Sequence, residues 1–521
     1  MNAASALRRP LGWPGTRVRI SAARLAISVV ALALAVRLIG LNARPLWLDE
    51  AYSAWFSSRG WSELWTVVPT YEPHPPFYYS LLKLWRDVFG GSAVALRLFS
   101  VLLSVLTVPV MLAAATELER HDKSGSANLR RGVVGMLAAC SPMLLLLDQE
   151  ARPYPLLIFA YAVATLGVLR LLRELAGGPG TWKSWSLLVA GTETVLWSHG
   201  LGVIYALCIA AALAPAWLRR LGEPGCLLRG AASASAIALL YLPCFMMMMS
   251  RAGDWGSGWL EWRPDMLLQL IGLYAIPWEA MTVASALAAL VMVLLVKRAI
   301  ETAVQARGWN ADRALMLLWW GPPVIAALVS AVAMPIFLPR TLAATLVPAY
   351  LAYAGAVARS SSQRERFAFA AVLAITLPVT ALQVALRPAV EEWKAVAAYL
   401  DRNVRPGDQV WLYPNDSALP LREAGFRATS QMRGVPGDYP AVGFKGPIRA
   451  GSPAVISLTR DQSIQLVADP ALRRAPAVWL VTRQATLFDP DSDVPHALIA
   501  ARRAGPAQDW GYISVRPYYR R

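Results

Sequence analysis

Eleven apolar runs decide what this chain can become. They fall at 22–41, 93–116, 132–147, 154–172, 185–199, 201–218, 229–249, 279–296, 314–336, 341–358 and 367–386. Most are long enough to cross a hydrocarbon layer of about 30 Å, and several are short for it. Inside a bilayer every backbone N–H and C=O needs a partner within the protein, so such runs fold as helices. The rest of the composition agrees. Of 521 residues, 56% are hydrophobic and 16% charged, which excludes a soluble protein of this size. The 21 tryptophans suit membrane interfaces better than cores.

The net charge of +17 suggests nucleic acid only until its distribution is read. Lys and Arg lie mostly in alternate short loops: Arg8, Arg9, Arg17, Arg19 and Arg24 before the first run, then Arg120, Lys123, Arg130 and Arg131. Arg170, Arg173 and Lys183 follow, then Arg219, Arg220 and Arg229, then Lys297, Arg298, Arg307 and Arg313, then Arg359, Arg364 and Arg366. Basic loops stay on the cytoplasmic side. This predicts a cytoplasmic tail over 1–21 and, with an odd number of spans, an extracytoplasmic C-terminus. No nucleic acid is expected; the lipid bilayer is the partner. The N-terminal arginines and first apolar run resemble a signal peptide, but no small-x-small cleavage site follows, so the run is read as a retained span. Cys140, Cys208, Cys226 and Cys244 lie in or beside the apolar part, and no disulfide framework is implied.

The alternate loops hold the unusual polar residues: Asp49, Glu50, His74, Glu150, Arg152 and Arg340. Charge at a membrane boundary costs free energy, so convergence on one side points to a site there. The first outer loop, 42–92, is too aromatic to be a free loop. It carries Trp47, Trp55, Phe56, Trp61, Trp65, Tyr71, Phe77, Tyr78, Tyr79 and Trp85. It is read as short amphipathic helices at the interface. After residue 386 the chain turns polar. A helical pattern over 390–403 and strands at 409–413, 454–458, 477–481 and 512–515 predict a small α/β domain over 387–521.

Several short motifs, in order, resemble a known family. They are Asp49-Glu50 after the first run, His74-Pro75-Pro76-Phe77-Tyr78-Tyr79, Leu96-Arg97-Leu98, Gln149-Glu150-Ala151-Arg152-Pro153-Tyr154, His199 and Leu338-Pro339-Arg340. Together they resemble the GT-C membrane glycosyltransferases over about 25–386. The nearest group is glycosyltransferase family 39 and its bacterial relatives, which include protein O-mannosyltransferases and the lipid A aminoarabinose transferase. The resemblance implies an α-helical multi-span membrane protein with a transferase domain over 22–386. It implies an inverting transferase that moves a sugar from a polyprenyl-phosphate carrier to a lipid, glycan or protein acceptor at the outer face of the plasma membrane, the inner membrane of a bacterium. In the family an Asp of the first outer loop is the catalytic base, which carries over to Asp49. The aminoarabinose transferases have Lys-Pro where this chain has His74-Pro75. The competing class is a transporter or flippase of lipid-linked sugars, which would place charges near the midplane and often show inverted repeats.

The residues themselves add roles. Adjacent helical residues point about 100° apart, so Asp49 and Glu50 do not share one job. Asp49 is read as the base and Glu50 as orienting or helix-end support. The alternative is that both cap a helix N-terminus. The prolines around His74 make a stiff segment that holds it towards a phosphate, or else form a turn with an incidental His. Arg152 pairs with Glu150 or Asp148, or binds the donor phosphate together with Glu150 and Tyr154. Arg340 binds that phosphate bidentately or snorkels to headgroups. Arg97 and His199 are read as support, His199 as a hydrogen-bonded core residue. Four histidines and scattered cysteines argue against a structural zinc; the acidic residues leave a divalent ion open without predicting one, and no cofactor is expected. No acid, His or nucleophile cluster is legible after 386, so the C-terminal domain is expected to shape acceptor access or stability.

Overall fold

The computed structural model describes residues 21–70, 72, 74–121, 127–250, 262–275, 282–435, 437 and 458–521. Residues 1–20 of the tail expected over 1–21, with their four arginines, and Lys123, Tyr71, Pro73 and most of the strand expected at 454–458 lie outside them.

Each apolar run is helical within the described residues. The helices are α1 (Ala22–Leu38), α5 (Ala93–His121), α6 (Ala127–Cys140) with α7 (Pro142–Asp148), α8 (Tyr154–Glu174) and α9 (Trp182–Ser198). They continue as α10 (Gly202–Leu218), α11 (Pro224–Met249), α13 (Val283–Gln305), α14 (Ala311–Val332), α15 (Leu346–Ala358) and α16 (Gln363–Ala385). The outer loop supplies α2 (Leu48–Ser57), α3 (Trp61–Thr66) and α4 (Phe77–Phe89), as its aromatics suggest; a short α12 (Gln269–Tyr274) precedes α13. Among the described residues seven helices are long and apolar enough to cross a membrane, and the bent pair α6–α7, taken as one span, makes an eighth. The helices α1, α9 and α10 have 17 residues each, about 26 Å at 1.5 Å per residue. The segment around His199 resolves into two helices, α9 and α10, parted by His199–Leu201.

The centre of the bundle is α15 with the 3-10 turn Pro339–Thr345 before it, a unit buried along its length. The bend of 45° between α6 and α7 has a local cause that the sequence reading missed. Pro142 opens α7 and has no N–H to give the preceding turn. The freed carbonyls of Ala138 and Ala139 are met instead by Arg37, whose Nη2 and Nη1 donate to them at 2.9 Å each. Arg37 is also paired with Asp148 at 2.7 Å, so the ion pair closes the kink. Gly40 then turns the chain with φ +69° against the end of α16, where a Cβ would stand 2.2 Å from the Ala385 carbonyl oxygen.

After α16 the chain forms a sheet of order β2–β1–β3–β6–β4, with β5 pairing β6. The strands are β1 (Gln409–Tyr413), β2 (Met432–Gly434), β3 (Ala477–Arg483), β4 (Arg503–Ala504), β5 (Gln508–Trp510) and β6 (Ile513–Tyr519). β1 is parallel to β2 and β3; β6 runs antiparallel to β3, β4 and β5. Alternation along β1 sorts the two faces. Val410 and Leu412 pack with Trp393, Val396 and Leu400 of α17 (Trp393–Asn403), while Trp411 and Tyr413 pack with Leu472, Val478 and Leu498. The expected helix starts three residues later than its pattern suggested. Two expected strands run longer, and β2, β4 and β5 are too short to leave a periodic signal.

Candidate active site

The α2 helix opens on Leu48, Asp49 and Glu50, carboxylates in the first turn where the helix dipole favours them. Their burial differs sharply. Glu50 is fully buried, and Arg97 of α5 grips it with Nε–Oε1 at 2.7 Å and Nη2–Oε2 at 2.6 Å. Glu50 also accepts from the Ala151 and Trp47 backbone N–H groups at 3.0 and 3.4 Å. Arg97 spends its remaining donors on the carbonyls of Leu41, Arg44 and Pro45 at 2.8–2.9 Å. Glu50 thus ties α2 to α5 and to the chain entering α8.

Asp49 turns away from that network and keeps 21% of its side chain exposed. Its carboxylate lies 3.5 Å from Arg340 Nη2 and 3.8 Å from Arg152 Nη2. Arg340 comes from the turn before α15 and also covers the Trp47 ring at 5.6 Å. Arg152 comes from the linker before α8, and its Nη1 donates to the Asp49 carbonyl at 3.1 Å. The expected pairing of Arg152 with Glu150 or Asp148 is not formed. Asp148 is held by Arg37, Glu150 lies 3.9 Å from Arg387, and Arg152 faces Asp49 and Glu72 instead. Glu72, two residues before the His74 motif and without a role in the sequence reading, stands 3.9 Å from Arg152 and 3.6 Å from His74 Nε2.

The His74 and His199 rings meet at 4.1 Å between centroids, tilted by 38°, with Tyr154 next to His199 at 6.0 Å. His74 Nδ1 accepts from the Gly200 N–H at 3.3 Å, which ties the first outer loop to the α9–α10 turn. Burial, then the neighbouring His199, Arg152 and Arg340, hold His74 well below the ordinary imidazole range. Burial, then the same two arginines, push His199 down to about 3. Both rings are therefore neutral at neutral pH and act as hydrogen-bonding groups, not cations. His199 is buried as expected, but it borders the charged cluster and is not a remote core residue.

Three donors around this cluster lack acceptors among the described residues: Arg152 Nε, Arg340 Nε and His199 Nε2, all buried. Since His199 Nδ1 accepts from the Leu201 N–H at 3.0 Å, its Nε2 carries the hydrogen. Buried donors without partners cost free energy, which an anionic ligand would recover.

Glu150 makes a test at the rim. Burial, then Glu50, raise its carboxyl from 4.5 to about 7 against the pull of Arg387 and Arg340. Between about pH 4.5 and 7 the folded protein holds a proton that the unfolded chain has released, so stability falls as pH rises through that window. Glu150→Gln cannot ionise and escapes the loss. Its thermal midpoint in detergent should gain on the parent from pH 5 to pH 8; a gap that does not change with pH would contradict this.

The C-terminal domain is not as empty of acids as its sequence suggested. Glu391 and Asp416 sit against α2, and behind them Arg483 Nη1 lies 3.2 Å from Glu391 Oε1. They come from segments far apart in sequence and form a group only in the fold.

No family model matches the chain, and no curated protein matches it. Among solved structures it is similar to ArnT from Cupriavidus metallidurans in the apo state, with a TM-score of 0.60, 14% identity and coverage of 96% of this chain and 98% of that one. ArnT bound to undecaprenyl phosphate matches with a TM-score of 0.55 and 12% identity, over 94% and 97% of the two chains. The Archaeoglobus fulgidus oligosaccharyltransferase in complex with Zn and sulfate matches with a TM-score of 0.52 and 12% identity, over 93% of this chain and 71% of that one. The chain has the GT-C fold over most of its length.

Proposed function

We propose that this chain is an inverting glycosyltransferase that moves a sugar from a polyprenyl-phosphate carrier to a hydroxyl of a glycolipid, polysaccharide or protein. The observation that carries the reading is one carboxylate, Asp49, flanked by two guanidiniums, beside three buried donors without acceptors. The acceptor oxygen attacks the anomeric carbon while the bond from that carbon to the phosphate oxygen breaks. Asp49 takes the acceptor proton late, when the attacking oxygen has become acidic. The phosphate leaves with one more negative charge than it had in the donor, and Arg152 and Arg340 face that charge in a poorly hydrated site. His199 Nε2–H and the neutral His74 side donate or orient without adding charge. Glu150 and Tyr154 border the same space.

The bound undecaprenyl phosphate of one structural neighbour supports a lipid-linked donor. A transporter would hold its charges near the midplane. Here Asp49, Glu72, Arg152 and Arg340 meet where one set of helix ends converges, opposite the Arg173–Glu117, Arg131–Glu119 and Arg359–Asp312 pairs. Basic-loop alternation supports placing the site outside the plasma membrane, with a cytoplasmic N-terminus, a transferase unit over 22–386 and an extracytoplasmic domain over 387–521.

Arg340 supplies the test. Arg340→Ala should lower affinity for a polyprenyl-phosphate donor roughly ten- to 150-fold, since a charge-assisted hydrogen bond is worth about 1.5–3 kcal/mol. Arg340→Lys keeps the charge without the planar fork and should lose less. The acceptor's apparent affinity should stay nearly unchanged. Equal donor affinity in the three proteins would return Arg340 to the lipid headgroups, and absence of any released polyprenyl phosphate from sugar-loaded carriers would remove the transferase reading.

A further inference from the structure

The first turn of α2 is held from two sides, and only one of them belongs to the membrane bundle. From the bundle, Glu50 accepts from the Trp47 N–H and is locked by Arg97. From the C-terminal domain, Glu391 Oε2 accepts from the Leu48 N–H at 3.0 Å. Glu391 is itself fixed by Trp393 Nε1 at 2.7 Å and Arg483 Nη1 at 3.2 Å, and it is almost wholly buried. One turn further along, Tyr52 donates to Asp416 Oδ2 at 3.2 Å, and Ala51 packs on Leu419 of α18 (Ala418–Glu423). Leu48 and Glu50 flank Asp49, so these contacts bracket the residue that faces Arg152 and Arg340.

We propose that Glu391 is a positioning residue: the extracytoplasmic domain, through its carboxylate on the Leu48 N–H, sets the rotation of α2 and with it the aim of Asp49. The inference rests on the transferase reading given above. A helix N–H left without an acceptor at a buried end favours unwinding or a shift of the first turn. Helix Cα atoms lie on a cylinder of about 2.3 Å radius, so a turn of about 25° moves Asp49 by ~1 Å. A misplacement of that size costs about 10²-fold in rate. The donors assigned to the phosphate, on Arg152, Arg340 and His199, are not hydrogen-bonded to Glu391, whose partners are Leu48, Trp393 and Arg483. A loss of aim therefore separates from a loss of binding.

The test uses the full chain in detergent or nanodiscs. Glu391→Ala should lower kcat for sugar transfer roughly ten- to 100-fold and leave affinity for the polyprenyl-phosphate donor within about twofold of the parent. Glu391→Gln keeps an oxygen for the Leu48 N–H and should recover most of kcat. Tyr52→Phe removes the second contact from the α2 side, leaves the domain core intact and should show a smaller loss of the same kind. Hydrogen exchange needs no substrate: the α2 first turn should exchange faster in Glu391→Ala, with Trp393–Asn403 unchanged. Unaltered kcat, with or without faster exchange, would overturn the proposal. So would a kcat loss that comes with equal loss of donor affinity or with unfolding of the domain. If no transfer is detected in the parent with any donor, the functional reading fails, and the exchange result still reports on the clamp.

Discussion

Asp49→Asn should lose at least about 10²-fold in transfer rate, the lower range for removal of a general base. The amide keeps the shape of the side chain and can still sit between Arg152 and Arg340, but it cannot take a proton. Asp49 lies at a partly exposed helix start, and its carboxylate is 3.5 and 3.8 Å from the two arginines, too far to be a tight structural ion pair. Insertion and thermal stability should therefore be close to the parent's, and donor affinity should hold or rise as one negative charge near the phosphate is removed. Single-turnover transfer with a sugar-loaded polyprenyl phosphate measures the rate. Near-parental turnover would remove Asp49 from the mechanism.

Arg97→Met should fail differently, through the fold. The guanidinium satisfies both oxygens of fully buried Glu50 and three backbone carbonyls at once. Methionine fills the space but leaves a buried carboxylate without its cation, a loss of about 3–5 kcal/mol. Folded yield in detergent and the midpoint of unfolding should drop accordingly. Pairing it with Glu50→Gln should restore part of the stability, because the uncompensated charge is then gone. Parental stability in the single variant would contradict this account.

The membrane architecture was readable because continuous apolar runs are a property of local sequence. The aromatic outer loop was readable for the same reason: Trp47, Phe56 and Tyr79 have to be covered by something. The cluster around Asp49 was half legible. Charged residues near a membrane boundary stand out singly, so Asp49, Arg152, His74 and Arg340 could be picked. Their pairing could not: the sequence offered Arg152 the nearby Asp148 and Glu150, and gave no sign of Glu72. The choice depends on Arg37 and Arg387 having claimed two of them. Glu391, Asp416 and Arg483 left no trace at all. Each is one polar residue in a polar domain, and what joins Glu391 to Leu48 is a contact across 343 positions.

The Arg37–Asp148 pair that closes the α6–α7 kink has a consequence during synthesis. Its two members are 111 residues apart. At about 5–20 residues per second, roughly 6–22 s separate the emergence of Arg37 from that of its carboxylate. Until then the guanidinium near the end of α1 has no carboxylate to pair with, and an arginine at a helix end can reach headgroup phosphates and water. The ion pair and the closed kink can form only once the sixth and seventh helices have both been made. The first described helix is thus the half-built receptor for a kink that has not yet been translated.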